Sequence, residues 1–215
     1  MKNIAIFGAS GIGREMQAII EHINSVKPAW NFVGFFDDNL EKGTLINGAK
    51  VLGGTDELNQ YTDAISIVIG AGKPSIKKQI VEKIKNPKVD YPVLIHPDAH
   101  IGSLQHTHIL EGTVIAAGTI INVNTAIGKH AFINCGAILG HDVKIGNYAA
   151  VMPAVSINGE AVISDGAYIG TGAIITDRSN IGENTVIAAG AVVFGAIRAN
   201  CTALGYPAKP IMDNT

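Results

Sequence analysis

The sequence predicts a chain of two parts: a small α/β unit, then a parallel β-helix built from hexapeptide repeats. Three observations carry this. Branched aliphatic residues recur every six positions from Ile109 to Val193 without a slip in register. A second series of mostly small residues stands two positions ahead of each, from Thr107 to Ala191. Upstream, residues 1–95 alternate apolar runs with glycine turns and helical patterns.

Neither a helix of period 3.6 nor a strand of period 2 yields a strict period of six. Such a period belongs to the parallel β-helix, in which three hexads make one triangular coil. The aliphatic residue points into the prism, and the small residue fits the tighter corner. Fifteen hexads between Thr107 and Val193 give five coils, enough to bury a continuous core by stacking. Ile101 reads as one earlier hexad, but the step to Ile109 is eight, so an imperfect first coil is expected across Ser103 to His108.

Within residues 1–95, Lys2 to Phe7 reads as a strand followed by the turn Gly8-Ala9-Ser10-Gly11-Ile12-Gly13. A helix follows over Arg14 to Val26, then a strand over Phe32 to Phe36 that ends in Asp37-Asp38. A glycine turn between a strand and a helix allows close backbone approach, and the helix N-terminus offers N–H groups to phosphate. The spacing here is G-x-x-G-x-G rather than the usual dinucleotide fingerprint. A tight turn that only packs helix on strand is the plain alternative. Ala49 to Leu52 reads as a short strand, with Thr55 capping a brief helix. A third apolar run, Ile65 to Ile69, ends in Gly70-Ala71-Gly72, and Pro74 opens a helix to about Lys85. Val93 to Ile95 reads as a last strand. The crevice at the strand ends would be formed by Gly8 to Gly13, Asp37 and Gly70 to Lys73.

Charged residues are 16% of the chain and aromatics 6%, so the core must be aliphatic. A net charge of −2 gives no basic stripe for nucleic acid. No apolar run is long enough to span a membrane. The start, Met1-Lys2-Asn3-Ile4, runs directly into a strand pattern, and no signal peptide is expected. Cys135 and Cys201 read as reduced thiols, with Cys135 packing beside Ile133. His100, His106 and His108 cluster before the repeats. A polar loop there is preferred to a zinc site, and no metal is expected.

The most informative break in the hexad pattern is Gly140-His141-Asp142. His141 stands two positions after the inward Leu139, at an outward corner phase. A neutral histidine can take a proton from an attacking amine or hydroxyl, and an adjoining carboxylate can orient its ring. A solvated corner pair is the alternative.

These residues resemble the left-handed β-helix acyltransferases, and among them the bacterial sugar O/N-acetyltransferases with a small Rossmann-like domain in front. That group includes nucleotide-amino-sugar N-acetyltransferases and relatives of sialic acid O-acetyltransferases. The carrying stretches are 7–13, 36–38, 133–137, 140–142 and 205–209. The resemblance implies a Rossmann-like nucleotide-sugar domain over residues 1–95, and a left-handed β-helix acyltransferase domain with a tail over 96–215. It implies that His141 is the general base with Asp142 beside it, and that Asn134 lines the acceptor site. Gly8, Ser10, Gly11, Ile12, Gly13, Asp37 and Asp38 match the nucleotide-sugar site, and Gly70 of the same crevice is expected to join them in binding the substrate. Gly159 matches the glycine whose N–H meets the thioester carbonyl, and Gly205 and Lys209 match the segment near the adenine end of coenzyme A. Ile12 and Ala150 depart from the family pattern, which often has histidine at both places.

The resemblance further implies transfer of acetyl from acetyl-CoA to the amino group of a nucleotide-linked sugar for bacterial surface glycans. Its site residues serve a sugar hydroxyl equally. A cytoplasmic homotrimer is expected, with coenzyme A between adjacent prisms and neither membrane nor nucleic acid as partner. A different class, an NAD(P)-binding protein that uses its coils for assembly, is also compatible with the βαβ start and Asp37.

Overall fold

A computed structural model describes residues 1–213. The chain forms two compact units, Met1–Pro97 and Asp98–Thr215.

The first unit holds β1 (Lys2–Phe7), α1 (Gly11–Val26), β2 (Trp30–Phe36), β3 (Leu45–Ile46), β4 (Ala49–Lys50), α2 (Thr55–Asn59), β5 (Ile65–Ile69), α3 (Pro74–Lys83) and β6 (Val89–Asp90). Its four-stranded sheet has the order β2-β1-β5-β6, and every pair is parallel. The chain leaves β1 toward one side to make β2, and β5 pairs on the other side. The loops after β1 and β5 therefore meet at the point where the winding changes direction, where α/β sheets bind ligands. Ala5, Phe7, Phe36, Leu58, Ile67 and Ile69 pack one apolar core.

Several expected elements differ. β6 is the edge strand, whereas Leu94–Ile95 forms a strand outside this sheet. The run at Ala49 is one arm of an antiparallel hairpin with Leu45–Ile46. Thr55 begins α2 rather than capping it; Gly54 is the cap residue. The pairing of β1 with β2 shifts between Ile4 and Ala5, which leaves Val33 as an extra residue. Gly34 follows that bulge at φ +139°, and a Cβ there would lie 2.4 Å from the Lys50 carbonyl oxygen.

The second unit is a parallel β-solenoid with three faces of two-residue strands. Within this unit two faces stack six strands each, from His100–Ile101 and from His108–Ile109, and the third stacks seven, from Val114–Ile115 to the longer pair Cys201–Gly205 and Ala208–Asp213. Partners along a face are eighteen residues apart, as in Ile121 with Leu139 and Ile157 with Ile175. The ladder therefore runs to six coils rather than five. It extends because its two ends change step. Ile101 pairs with Ile121, twenty residues on, and Ile181 pairs with Ile197, only sixteen on. The two extra residues before Ile109 widen one corner, and the two missing ones near Gly195 tighten another.

Inward residues from Ile115 to Val193 are almost fully buried, while Ile109 at the open end is half-buried. The small series is buried too, and the hydroxyls of Thr113, Thr119, Thr125 and Thr185 are satisfied, whereas that of Thr107 at the open end has no partner among the described residues. Thr113 Oγ1 donates to the Gly128 carbonyl at 2.7 Å, and Thr185 Oγ1 to that of Arg198 at 2.7 Å. A buried hydroxyl without such an acceptor would be costly. The corners share one backbone device. From Gly112 to Gly190, every sixth residue has positive φ, including Asn124, His130, Asp142, Tyr148, Ala154, Glu160, Arg178 and Asn184. Left-handed backbone disfavours most side chains, so glycine, asparagine and aspartate are natural there. The chain ends in an antiparallel hairpin, Cys201–Gly205 with Ala208–Asp213, where the sequence suggested only a tail.

Candidate active site

Residue pairs eighteen apart stack along each prism edge. One edge, following the strands of Ile120, Ile138, Ser156 and Ile174, gathers Asn124, His141-Asp142, Gly159-Glu160 and Asp177-Arg178. His141 Nδ1 lies 2.8 Å from Asp142 Oδ2, with both side chains about half exposed. The His141 hydrogen bond, then one from Asn124, hold the Asp142 carboxyl below the usual carboxylate range. An ionised carboxylate only accepts, so Nδ1 carries the hydrogen and a neutral ring has Nε2 unprotonated. The left-handed backbone of Asp142, at φ 58°, is one that aspartate tolerates, so one residue serves both the corner and the pair.

The His141 ring lies over Gly159. A Cβ on Gly159 would stand 2.6 Å from His141 Nε2, so only glycine leaves the ring its place. The Gly159 N–H donates to Asp177 Oδ1 at 3.1 Å, and its carbonyl accepts from the Arg178 N–H at 3.0 Å. Arg178 pairs with Glu160 at 3.0 Å. The sequence reading missed Asn124, Asp177 and this ion pair. The signal for them was present: steps of eighteen from His141-Asp142 reach each one.

Other residues expected at this site stand elsewhere. Asn134 lies on the neighbouring edge, beyond the strand Ile138–Leu139, is nearly buried, and accepts the Cys135 N–H at 2.7 Å. Cys135 is exposed at that corner, which corrects its expected packing role. The corner turns its side chain away from the core, and Cys201 is the buried cysteine. Ala150 is fully buried. Gly205 and Lys209 flank the tip of the terminal hairpin, Gly205 at φ +99°, and Tyr206 stands beside the Phe194 ring at 5.9 Å.

In the first unit, Gly8, Gly13 and Gly70 converge. A Cβ on Gly13 would lie 1.9 Å from the Gly8 carbonyl oxygen, and one on Gly70 would lie 2.8 Å from the Gly13 Cα. These glycines are therefore required by backbone contact. Gly11, in the first turn of α1, faces open space, and the Ser10 side chain makes no cap bond. No acidic residue offsets the dipole in that turn, so its N–H groups suit an anion. Ile12 packs toward Gly72. Asp37 ties the loop down, accepting the Ala9 N–H and the Asn39 N–H at 2.9 Å each. Asp38 accepts from the Thr55 N–H at 2.7 Å and from its hydroxyl at 2.8 Å. Both carboxylates line an open pocket of about 560 Å³ with Lys42, Gly54, Thr55 and Lys83. The last four were not expected at the site, because their elements meet only in the fold.

Among the described residues, no three or more His, Cys, Asp or Glu side chains are grouped to hold a metal. His100 and His108 stand on different faces. No helix among the described residues is long and apolar enough to cross a membrane.

Comparison with known proteins identifies relatives of the chain. Residues 3–84 match the PglD N-terminal domain family. Over 159 residues the chain is 30% identical to the GDP-perosamine N-acetyltransferase of Escherichia coli O157:H7, covering 74% of this chain and 71% of that protein. WeeI from Acinetobacter baumannii AYE superposes with a TM-score of 0.87 at 29% identity, covering 98% of this chain and 100% of that one. PerB from Caulobacter crescentus, solved with CoA and GDP-perosamine, gives a TM-score of 0.86 at 25% identity, covering 98% of each chain. The chain belongs to the nucleotide-amino-sugar N-acetyltransferases within the left-handed β-helix, hexapeptide-repeat acyltransferases.

Proposed function

We propose that this enzyme transfers the acetyl group of acetyl-CoA to the amino group of a nucleotide-linked amino sugar. The observation that carries the assignment is the His141–Asp142 pair seated over Gly159 on an outer edge of the prism. The names of the relatives support the acceptor and the donor: an N-acetyltransferase of GDP-perosamine, and a neighbour solved with CoA.

His141 Nε2 takes a proton as the sugar amine attacks the thioester carbonyl carbon. The N–C bond forms, the carbonyl oxygen becomes an oxyanion, and the Gly159 N–H stabilises that charge. The C–S bond then breaks, and the imidazolium returns its proton to the departing thiolate. Asp142 fixes the tautomer and favours the imidazolium between these steps. No covalent enzyme intermediate is needed; much of the rate comes from holding both substrates together. The nucleotide binds at Gly8, Ser10, Gly11, Ile12 and Gly13, with Gly70, Asp37 and Asp38 completing the crevice. Asn134 lines the acceptor site, and Gly205 and Lys209 meet the distal end of coenzyme A.

The working unit is a homotrimer in the cytoplasm, where acetyl-CoA and nucleotide sugars are available. Ile120, Val123, Ile138 and Ile174 support this: each is about 40% exposed on the face and edge that carry His141. A neighbouring prism packed there would cover them and wall the acyl-donor site, and threefold closure would give three equal sites.

The test is to incubate the protein with acetyl-CoA and a panel of UDP-, GDP- and dTDP-linked amino sugars, following thiol release. An alkali-stable amide product is expected. Thiol release with none of them, or an alkali-labile ester as the sole product, would overturn the assignment.

A further inference from the structure

The amide assigned above to the thioester carbonyl is already engaged. The Gly159 N–H donates to Asp177 Oδ1 at 3.1 Å, one coil further along the same edge. The same geometry recurs at another edge. There the Lys129 N–H donates to Asn147 Oδ1 at 2.8 Å, and the Asn147 N–H to Asp165 Oδ1 at 2.7 Å. In those places a side chain only staples one coil to the next. The Gly159 bond differs in its position, because its amide belongs to the glycine whose Cβ place is filled by the His141 ring.

We propose that Asp177 is a positioning residue that competes for the acyl-binding amide. Its carboxylate holds the Gly159 N–H in the free protein and yields it to the thioester carbonyl of acetyl-CoA. The inference rests on the acetyl-CoA site proposed above.

A backbone N–H has one hydrogen, so it serves one strong acceptor at a time. A carboxylate is the stronger acceptor, because hydrogen bonds to ionised groups are shorter and stronger than neutral ones. A carboxylate left beside the amide would repel the oxyanion that forms at the same place. Asp177 is exposed and can turn into water, while its neighbour Arg178 stays held by Glu160 at 3.0 Å. The exchange therefore weakens binding of a ligand that brings a carbonyl to this amide. Coenzyme A without the acetyl group leaves the Asp177 bond in place.

That difference is the test. The affinities of acetyl-CoA and of CoA are measured by calorimetry for the full-length wild type, Asp177→Ala and Asp177→Asn, with thermal melts to confirm folding. Asp177→Ala is expected to bind acetyl-CoA roughly three- to tenfold tighter, with CoA unchanged, because a charge-assisted bond no longer has to break. Asp177→Asn keeps a neutral acceptor and should show a smaller gain of the same sign; it carries the test alone if Asp177→Ala fails to fold. If both ligands tighten together, only the loss of a negative charge near an anionic ligand is at work, and the proposal falls. If neither tightens, or both weaken together, Asp177 is a coil staple and the proposal falls. A wild type that binds neither ligand would remove the acetyl-CoA site itself, and the proposal with it.

Discussion

Gly159 and His141 share one space: the place of a Gly159 side chain is filled by the imidazole, 2.6 Å from where a Cβ would be. A residue without a side chain thereby sets the position of the proposed base.

Gly159→Ala should therefore displace the ring without unfolding the prism. His141 is half exposed and contributes little to the core. A misplacement of about 1 Å in a reacting group can cost on the order of a hundredfold in rate. We expect kcat to fall by about that factor while the melting temperature stays close to wild type. Steady-state kinetics with a melt on the same sample checks this.

Loss of the base itself gives a larger effect. His141→Ala should lower kcat by about 10²–10⁴-fold, the usual range for general base catalysis, with binding of both substrates retained. Full acetyl transfer by this variant would remove His141 from the mechanism.

Asp142→Asn tests the tautomer. An amide nitrogen turned toward Nδ1 would put the hydrogen on Nε2, which then cannot accept a proton. A fall in kcat of roughly ten- to a thousandfold is expected, with KM for acetyl-CoA little changed. Stability gives a second readout. The folded carboxyl lies below its ordinary value of 3.8. Its contribution is therefore complete above that value and is lost as pH falls through the lowered one. Melts should show Asp142→Asn less stable than wild type at neutral pH, with the two converging in strong acid.

Lys77 supplies a stability prediction away from the site. It is 2% exposed, and burial pushes its ammonium down from 10.5 to about 7. Between those values the unfolded chain holds a proton that the folded chain has released. Folding stability therefore rises with pH across the window, and below about 7 the cost of burying the charge is fully present. Relative to Lys77→Met, the wild type should gain on the order of a few kcal/mol as pH goes from about 7 to about 10.5. Chemical denaturation at both ends of the window measures it, and parallel curves would count against it.

The exposed aliphatic face tests assembly. Ile138 and Ile174 are 44% and 40% exposed, and neither holds an inward position. Ile138→Asp with Ile174→Asp should leave the coil intact, shift the protein to monomer in light scattering, and reduce transfer more than about tenfold by opening the site. A trimer that survives both substitutions would move the interface elsewhere.

Much of the fold was legible because each coil imposes the same steric demand on the same six positions. That repetition identified the inward ladder, the small series and the outward phase of His141. The glycine loop after β1 and the acidic end of β2 were legible for a related reason: turns that need backbone approach exclude side chains. The ends of the solenoid were harder to read, because steps of twenty and sixteen replace eighteen there. The pocket members Lys42, Gly54 and Lys83 carry no local signal, and that of Thr55 marks only a helix start.

The sequence by itself determined which residues face in and which face out, since a period is a property of the chain alone. The tertiary structure decided which outward residues meet. Asn124, Asp142, Gly159 and Asp177 are neighbours because strand pairing stacks residues eighteen apart, and that pairing forms only when the coils close. The direction of each corner side chain likewise follows from a left-handed backbone at every sixth residue. Period six places His141 on the surface, and the stacking of coils seats it over Gly159.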